Sequence, residues 1–142
     1  MNSAKRLMQL LKDVDSRKGE KFSGLGIILY NDNPNLLPIS SLKKVNSQLP
    51  ITSYESIVNF LIDVSNSNNP YHDGFHLLNK NFELTNISQY IAPPIIKDLK
   101  LELEFGSRYR TAVYTSFLNE VIACGVLSGN YAPKVFIKGN SI

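Results

Sequence analysis

The chain has 142 residues, 43% of them hydrophobic and 19% charged, with a formal net charge of +3. That length suits one compact domain with a sizeable core, and that composition excludes a chain disordered throughout. The slight, scattered positive charge gives little support to duplex nucleic-acid binding, and no apolar run reaches the roughly 20 residues needed to span a bilayer.

From Ala4 to Val14, the residues Leu7, Leu10, Leu11 and Val14 fall at helical spacing, with Lys and Arg on the other face. This predicts a short amphipathic helix. After a polar segment with Gly19 and Gly24, the run Leu25–Tyr30 is apolar almost continuously, as expected of a strand covered on both faces, and residues 31–35 (Asn-Asp-Asn-Pro-Asn) end it in a turn. Thr52 with Glu55 fits a capping box for a second helix, whose apolar stripe is Ile57, Phe60, Leu61 and Val64.

Residues 75–78 and 82–90 flank Asn79-Lys80-Asn81 and predict a hairpin, after which Pro93-Pro94 opens a long connection. From Ser107 to about Leu118 a third helix is expected, then a buried strand from Val121 to Leu127 and a last strand from Lys134 to Ile137. Cys124 sits in that buried strand and reads as a small core hydrophobe. Alternating strands and helices predict an α/β or mixed α+β fold: a single domain over residues 1–142, with a central mixed sheet flanked by helices. The N-terminus lacks the apolar core of a signal peptide, so a cytoplasmic location without membrane contact is expected.

None of the motifs CxxC, HExxH, GxSxG, Walker A or GxGxxG occurs. Two segments stand out instead. In the first, His72-Asp73-Gly74, His72 offers a metal ligand, Asp73 a carboxylate able to take a proton from a hydroxyl, and Gly74 a close backbone approach. The same residues also read as a plain Asp-Gly turn opening a strand. In the second, Gly106 and Ser107 stand at a helix start, where free backbone amides favour phosphate, and Arg108 and Arg110 add guanidinium forks. The alternative there is a helix cap with two solvated arginines.

Together, residues 72–75 (His-Asp-Gly-Phe) and 106–110 (Gly-Ser-Arg-Tyr-Arg) resemble the diadenylate cyclase domain family. That family carries an Asp-Gly-Ala motif, usually after His, and about thirty residues later a Gly-Thr-Arg-His-Arg motif. Asn69-Pro70 before the first motif and Thr111-Ala112-Val113 after the second extend the resemblance to about residues 4–139. It implies a mixed sheet flanked by helices, and a reaction that joins two ATP molecules into cyclic di-AMP across two domains meeting face to face, with Mg²⁺ or Mn²⁺. It also implies that Asp73 activates a ribose hydroxyl and that His72 and Asp73 lie at the metal. Gly74, Gly106, Ser107, Arg108 and Arg110 would hold the nucleotide and its phosphates.

Departures from the pattern change that expectation. Where active members carry Ser-Glu-Glu-Thr-Gly, this chain has Leu127-Ser128-Gly129-Asn130-Tyr131, without an acid near Ser128 and Gly129. Phe75 replaces a small alanine and Tyr109 the central histidine, so that each would either stack on a base or fill the pocket. The resulting expectation is a nucleotide-binding module, without a certain cofactor, that senses ATP or a cyclic or oligomeric nucleotide without catalysis. It would act with a separate effector protein, as a homodimer, or as part of a longer protein. The alternatives are a working cyclase in which Glu120 or Glu104 supplies the missing acid, and an interaction domain without a small-molecule ligand.

Overall fold

The computed structural model describes residues 2–44 and 48–142. Helix α1 (Ser3–Arg17) opens at Asn2, whose side chain accepts the Lys5 amide at 2.9 Å. Its buried stripe is the one expected, Leu7, Leu10, Leu11 and Val14, with Ala4 added. Strand β1 (Leu25–Tyr30) follows and is buried at all six positions. After a 3-10 turn at Pro34–Leu36 come the short strand β2 (Ile39–Ser41) and helix α2 (Tyr54–Val64).

The cap of α2 is Ser53, not Thr52, with its hydroxyl accepting the Ser56 amide at 3.2 Å. Adjacent hydroxyl residues offer the same chemistry, and the helix register selects the second of them, for about 1 kcal/mol. That register also buries Val58, while Phe60 is only partly covered.

Strands β3 (Phe75–Leu78) and β4 (Leu84–Ile91) form the expected hairpin. The Asn79 side chain builds its turn by accepting the amides of Asn81 and Glu83, each at 3.0 Å. The long connection ends in a 3-10 turn at Leu103–Phe105 and helix α3 (Gly106–Thr115), which starts one residue earlier and stops sooner than expected. Strands β5 (Val121–Ser128), β6 (Tyr131–Ile137) and β7 (Asn140–Ser141) complete the chain.

The strands form one seven-stranded sheet in the order β2-β4-β3-β1-β5-β6-β7. Among the described residues, only β1 and β3 pair in parallel; each other neighbouring pair is antiparallel. Two apolar cores result, one per face. Leu25, Ile27 and Leu29 join the core under α1 and α2, while Ile28 and Tyr30 join the core under α3. Period-two alternation along a strand covered by helices on both faces accounts for the unbroken apolar run of β1. Gly125 on β5 lets α1 approach: a methyl group there would stand 2.8 Å from a Leu11 methyl.

The strand directions define two ends of the sheet. At one end lie the starts of β1 and β3 with the finishes of β4 and β5. That end gathers Gly24, residues 72–74, Tyr90, Ile91 and the Ser128–Gly129 turn. The opposite end holds Glu120, which accepts the amides of Asp32 and Asn33.

Candidate functional site

The two motifs meet. A cleft of about 390 Å³ between the β3–β4 hairpin and α3 is lined by Asp73, Gly74 and Phe75 on one wall and by Ser107, Arg108 and Thr111 on the other. Gln89, Tyr90 and Ile91 of β4 form its floor.

Gly74 is required by geometry. Its φ is +80°, and a side chain there would meet the Gln89 carbonyl oxygen at 2.6 Å. Such a conformation and such a close approach are both reserved for glycine. The backbone turn therefore sets Asp73 at the mouth, where its side chain is 67% exposed and free to meet a ligand. The Asp73 carbonyl accepts the Ser88 hydroxyl at 3.2 Å, which ties the turn to β4.

Arg108 reaches from α3 back over the sheet end. Its Nη2 donates to the His72 carbonyl at 3.4 Å, and its Nη1 lies against Gly24, where a Cβ would stand only 2.4 Å away. Burial lowers the guanidinium pKa from its ordinary value, and Tyr131 and Asp73 oppose that shift. The group still carries its charge at neutral pH. A partly desolvated cation with only one long hydrogen bond among the described residues is well suited to an incoming anion.

Tyr109 goes elsewhere. It is 8% exposed and packs into an aromatic core with Phe105 (centroids 4.9 Å apart), Phe136 (5.1 Å) and Tyr131 (5.8 Å). It lines neither cleft, and its ring is held by neighbours from α3's leading turn and from β6. Phe75 lies at the cleft wall but is itself buried, its ring seated on Gly26 of β1. Arg110 does not share the cleft with Arg108. It lines a second cavity alongside, because two residues along a helix turn the side chain by about 200°. Gly106, φ +87°, starts α3 without lining either cleft.

The donors expected for a divalent metal do not assemble. His72 Nδ1 lies 3.5 Å from an Asp73 carboxylate oxygen and 3.2 Å from the Ser23 hydroxyl. Ser128 stands at the correct end of the sheet, but its hydroxyl accepts the Asn130 amide and the turn carries no acid. Glu120 cannot substitute, since it is engaged at the opposite end, and Glu104 stands exposed on the 3-10 turn before α3. Among the described residues, no group of three His, Cys, Asp or Glu side chains stands together. Mg²⁺ and Mn²⁺ favour several hard oxygen ligands, and this donor set does not fit them.

No family model and no curated protein sequence matches the chain. Solved structures do match. The crystal structure of DacA from Staphylococcus aureus, a double mutant, superposes over 97% of this chain and 85% of its own, with a TM-score of 0.64 and 20% identity. The fold is similar to that of DacA. A hypothetical membrane spanning protein from Bacillus cereus matches over 99% of this chain with a TM-score of 0.68 and 20% identity, and the chain spans 62% of that protein's length. At this identity the likeness to DacA is one of architecture: a single mixed α+β domain with a seven-stranded sheet and three helices. Among the described residues, no helix is long and apolar enough to cross a membrane.

Sequence reasoning missed four residues that line the DacA-like fold's cleft here: Gln89, Tyr90, Ile91 and Thr111. Thr111 was within reach, standing four residues after Ser107 on the same helical face. The β4 residues were not, because a kink in that strand decides which of them turn toward the cleft.

Proposed function

We propose that the chain is a nucleotide-binding module of the diadenylate cyclase fold, which recognises its ligand without joining two ATP molecules. The observation that carries this reading is the convergence of Asp73–Gly74 and Ser107–Arg108 on one cleft from segments that are far apart in sequence. The diadenylate cyclase character of the fold neighbour supports it. Arg108 supplies a cation to phosphate, the Ser107 and Thr111 hydroxyls supply donors, and the Asp73 carboxylate supplies an acceptor for a ribose hydroxyl.

The non-catalytic part of the reading rests on the poor fit of the metal donor set. Phosphoryl transfer depends on charge neutralisation at the transferring group, and one arginine does not replace a bound divalent ion. Recognition without turnover needs a reader, so a separate effector protein or a second copy of the chain would receive the signal.

The test is a thermal-shift panel of mono- and dinucleotides beside an incubation with ATP and Mn²⁺ followed by chromatography. A shift that Arg108→Ala abolishes, with no cyclic di-AMP formed, is expected. Product made by the wild type but not by Asp73→Asn would establish a cyclase instead. No shift with any nucleotide would leave an interaction domain as the better description.

A further inference from the structure

The second cavity, about 640 Å³, is larger than the first and shares the wall formed by Tyr90, Ile91, Ser107 and Thr111 with it. The two are therefore compartments of one trough, divided by a ridge on α3. At about 100° per residue, Ser107 and Thr111 form that ridge, Arg108 falls to one side of it, and Arg110 and Tyr114 fall to the other. Each compartment thus owns one arginine.

The second compartment has a definite chemical character. Its far wall is apolar, with Pro93, Ile95, Leu99 and Leu101 from the long connection, and among the described residues no acidic side chain lines it. Among the described residues, Arg110 is the only charged one in its lining, and the Arg110 Nε is hidden from solvent with no hydrogen-bond partner. Arg110 as a whole is only half-buried, so its guanidinium meets an anion in the cavity through the terminal nitrogens, in a charge-assisted bond. Ile95 at 77% and Tyr90 at 54% exposure leave large apolar surfaces open beside that cation. An anion next to apolar and aromatic faces is the chemistry of a base-bearing phosphate unit.

We infer that the ligand is a dinucleotide held by a single chain, with one phosphate-and-base unit in each compartment and its backbone crossing the Ser107–Thr111 ridge. The inference rests on the nucleotide-binding reading of the first cleft. It goes beyond that reading by assigning Arg110, Tyr114 and the 93–101 wall to a second unit of the same ligand. A mononucleotide fills one side of the ridge and leaves the other arginine unpaired.

The test uses the full chain and two probes, AMP and the linear dinucleotide pApA, with affinities measured by calorimetry. The dinucleotide is expected to bind at least tenfold more tightly than AMP. Arg110→Ala should reduce that ratio to about one, whereas Arg108→Ala should weaken both ligands together. Should Arg110→Ala fail to fold, Ile95→Glu serves instead. It places a repelling carboxylate at an exposed rim position and should also collapse the ratio. Equal affinities for the two probes in the wild type, or a ratio that survives both variants, would overturn the two-compartment ligand while leaving the first cleft intact. Binding of neither probe would overturn it together with the nucleotide-binding reading.

Discussion

The imidazole Nδ1 of His76 accepts the backbone amide of Ser88 at 3.0 Å, a ring nitrogen standing where a regular ladder would supply a carbonyl. Ser88 has a φ of 53°, and the β3–β4 register shifts between Phe75 and Leu77. The kinked Ser88 in turn donates its hydroxyl to the Asp73 carbonyl, and Gln89 follows against Gly74. A buried histidine thus fixes the strand distortion that shapes the cleft floor. Acceptance at Nδ1 puts the proton on Nε2 in a neutral ring. Burial first, and the charge of Arg108 second, push the His76 pKa down to about 3.

This makes stability acid-sensitive. The unfolded chain takes up a proton near pH 6.5, whereas the folded ring does not until about pH 3. Between those values the unfolded state binds more protons, so the contribution is whole above pH 6.5 and is lost as pH falls toward 3. Urea denaturation should show up to about 1.4 kcal/mol lost per pH unit from this group within the window. In His76→Leu that component of the acid slope should vanish, while stability at pH 7 drops by about 1–3 kcal/mol for the orphaned Ser88 amide. Identical acid slopes in the two proteins would contradict the buried neutral ring.

Arg108→Ala should weaken nucleotide affinity by about 1.5–3 kcal/mol, the range for hydrogen bonds to charged groups. Arg108→Lys should recover little of it, because an ammonium cannot span the His72 carbonyl and a phosphate with a planar fork. Titration calorimetry against the best nucleotide of the thermal-shift panel measures both. Full recovery by lysine would mean that charge alone is being read.

Phe75 and Gly26 form a coupled pair. A Cβ at Gly26 would lie 2.6 and 2.7 Å from two Phe75 ring carbons, so Gly26→Ala overfills the site by a methyl group. A loss of about 1–3 kcal/mol is expected for it, and about 3–5 kcal/mol for Phe75→Ala, which leaves a cavity. The double variant should cost clearly less than the two losses added, with a coupling of about 0.5–3 kcal/mol by chemical denaturation. Additive losses would show that the ring does not rest on the glycine.

Cys124 is fully buried on β5, and burial raises its thiol pKa well above the ordinary value. The native protein should leave a thiol reagent unconsumed at pH 8, with one equivalent reacting once the chain is unfolded in urea. Rapid labelling of the folded protein would place the thiol outside the core.

Much of this architecture was legible in the residues. The unbroken apolar run of β1 announced a strand covered on both faces, and the α1 stripe named each of its buried residues except Ala4. Strands β2 and β7 escaped because they are three and two residues long and largely polar, too short for any periodicity. The pairing of the two motifs was inferred from resemblance; physically it depends on the parallel β1–β3 contact, a long-range event that no local pattern encodes. The sequence leaves Tyr109 either stacking on a base or filling the pocket, and cannot show its core packing because its aromatic neighbours Tyr131 and Phe136 come from β6, more than twenty residues away. The divergence of Arg108 and Arg110, by contrast, follows from helical geometry and could have been stated from their spacing.

Those two short strands also bear on whether a further strand can join the sheet. A sheet edge recruits further strands through a long row of unpaired amides and carbonyls, and β2 and β7 offer only three and two residues of such template. Because β7 covers β6 only at Phe136 and Ile137, the rest of that margin is β6 itself, where Pro133 has no amide to donate and Lys134 brings a charge, two features that discourage a further strand.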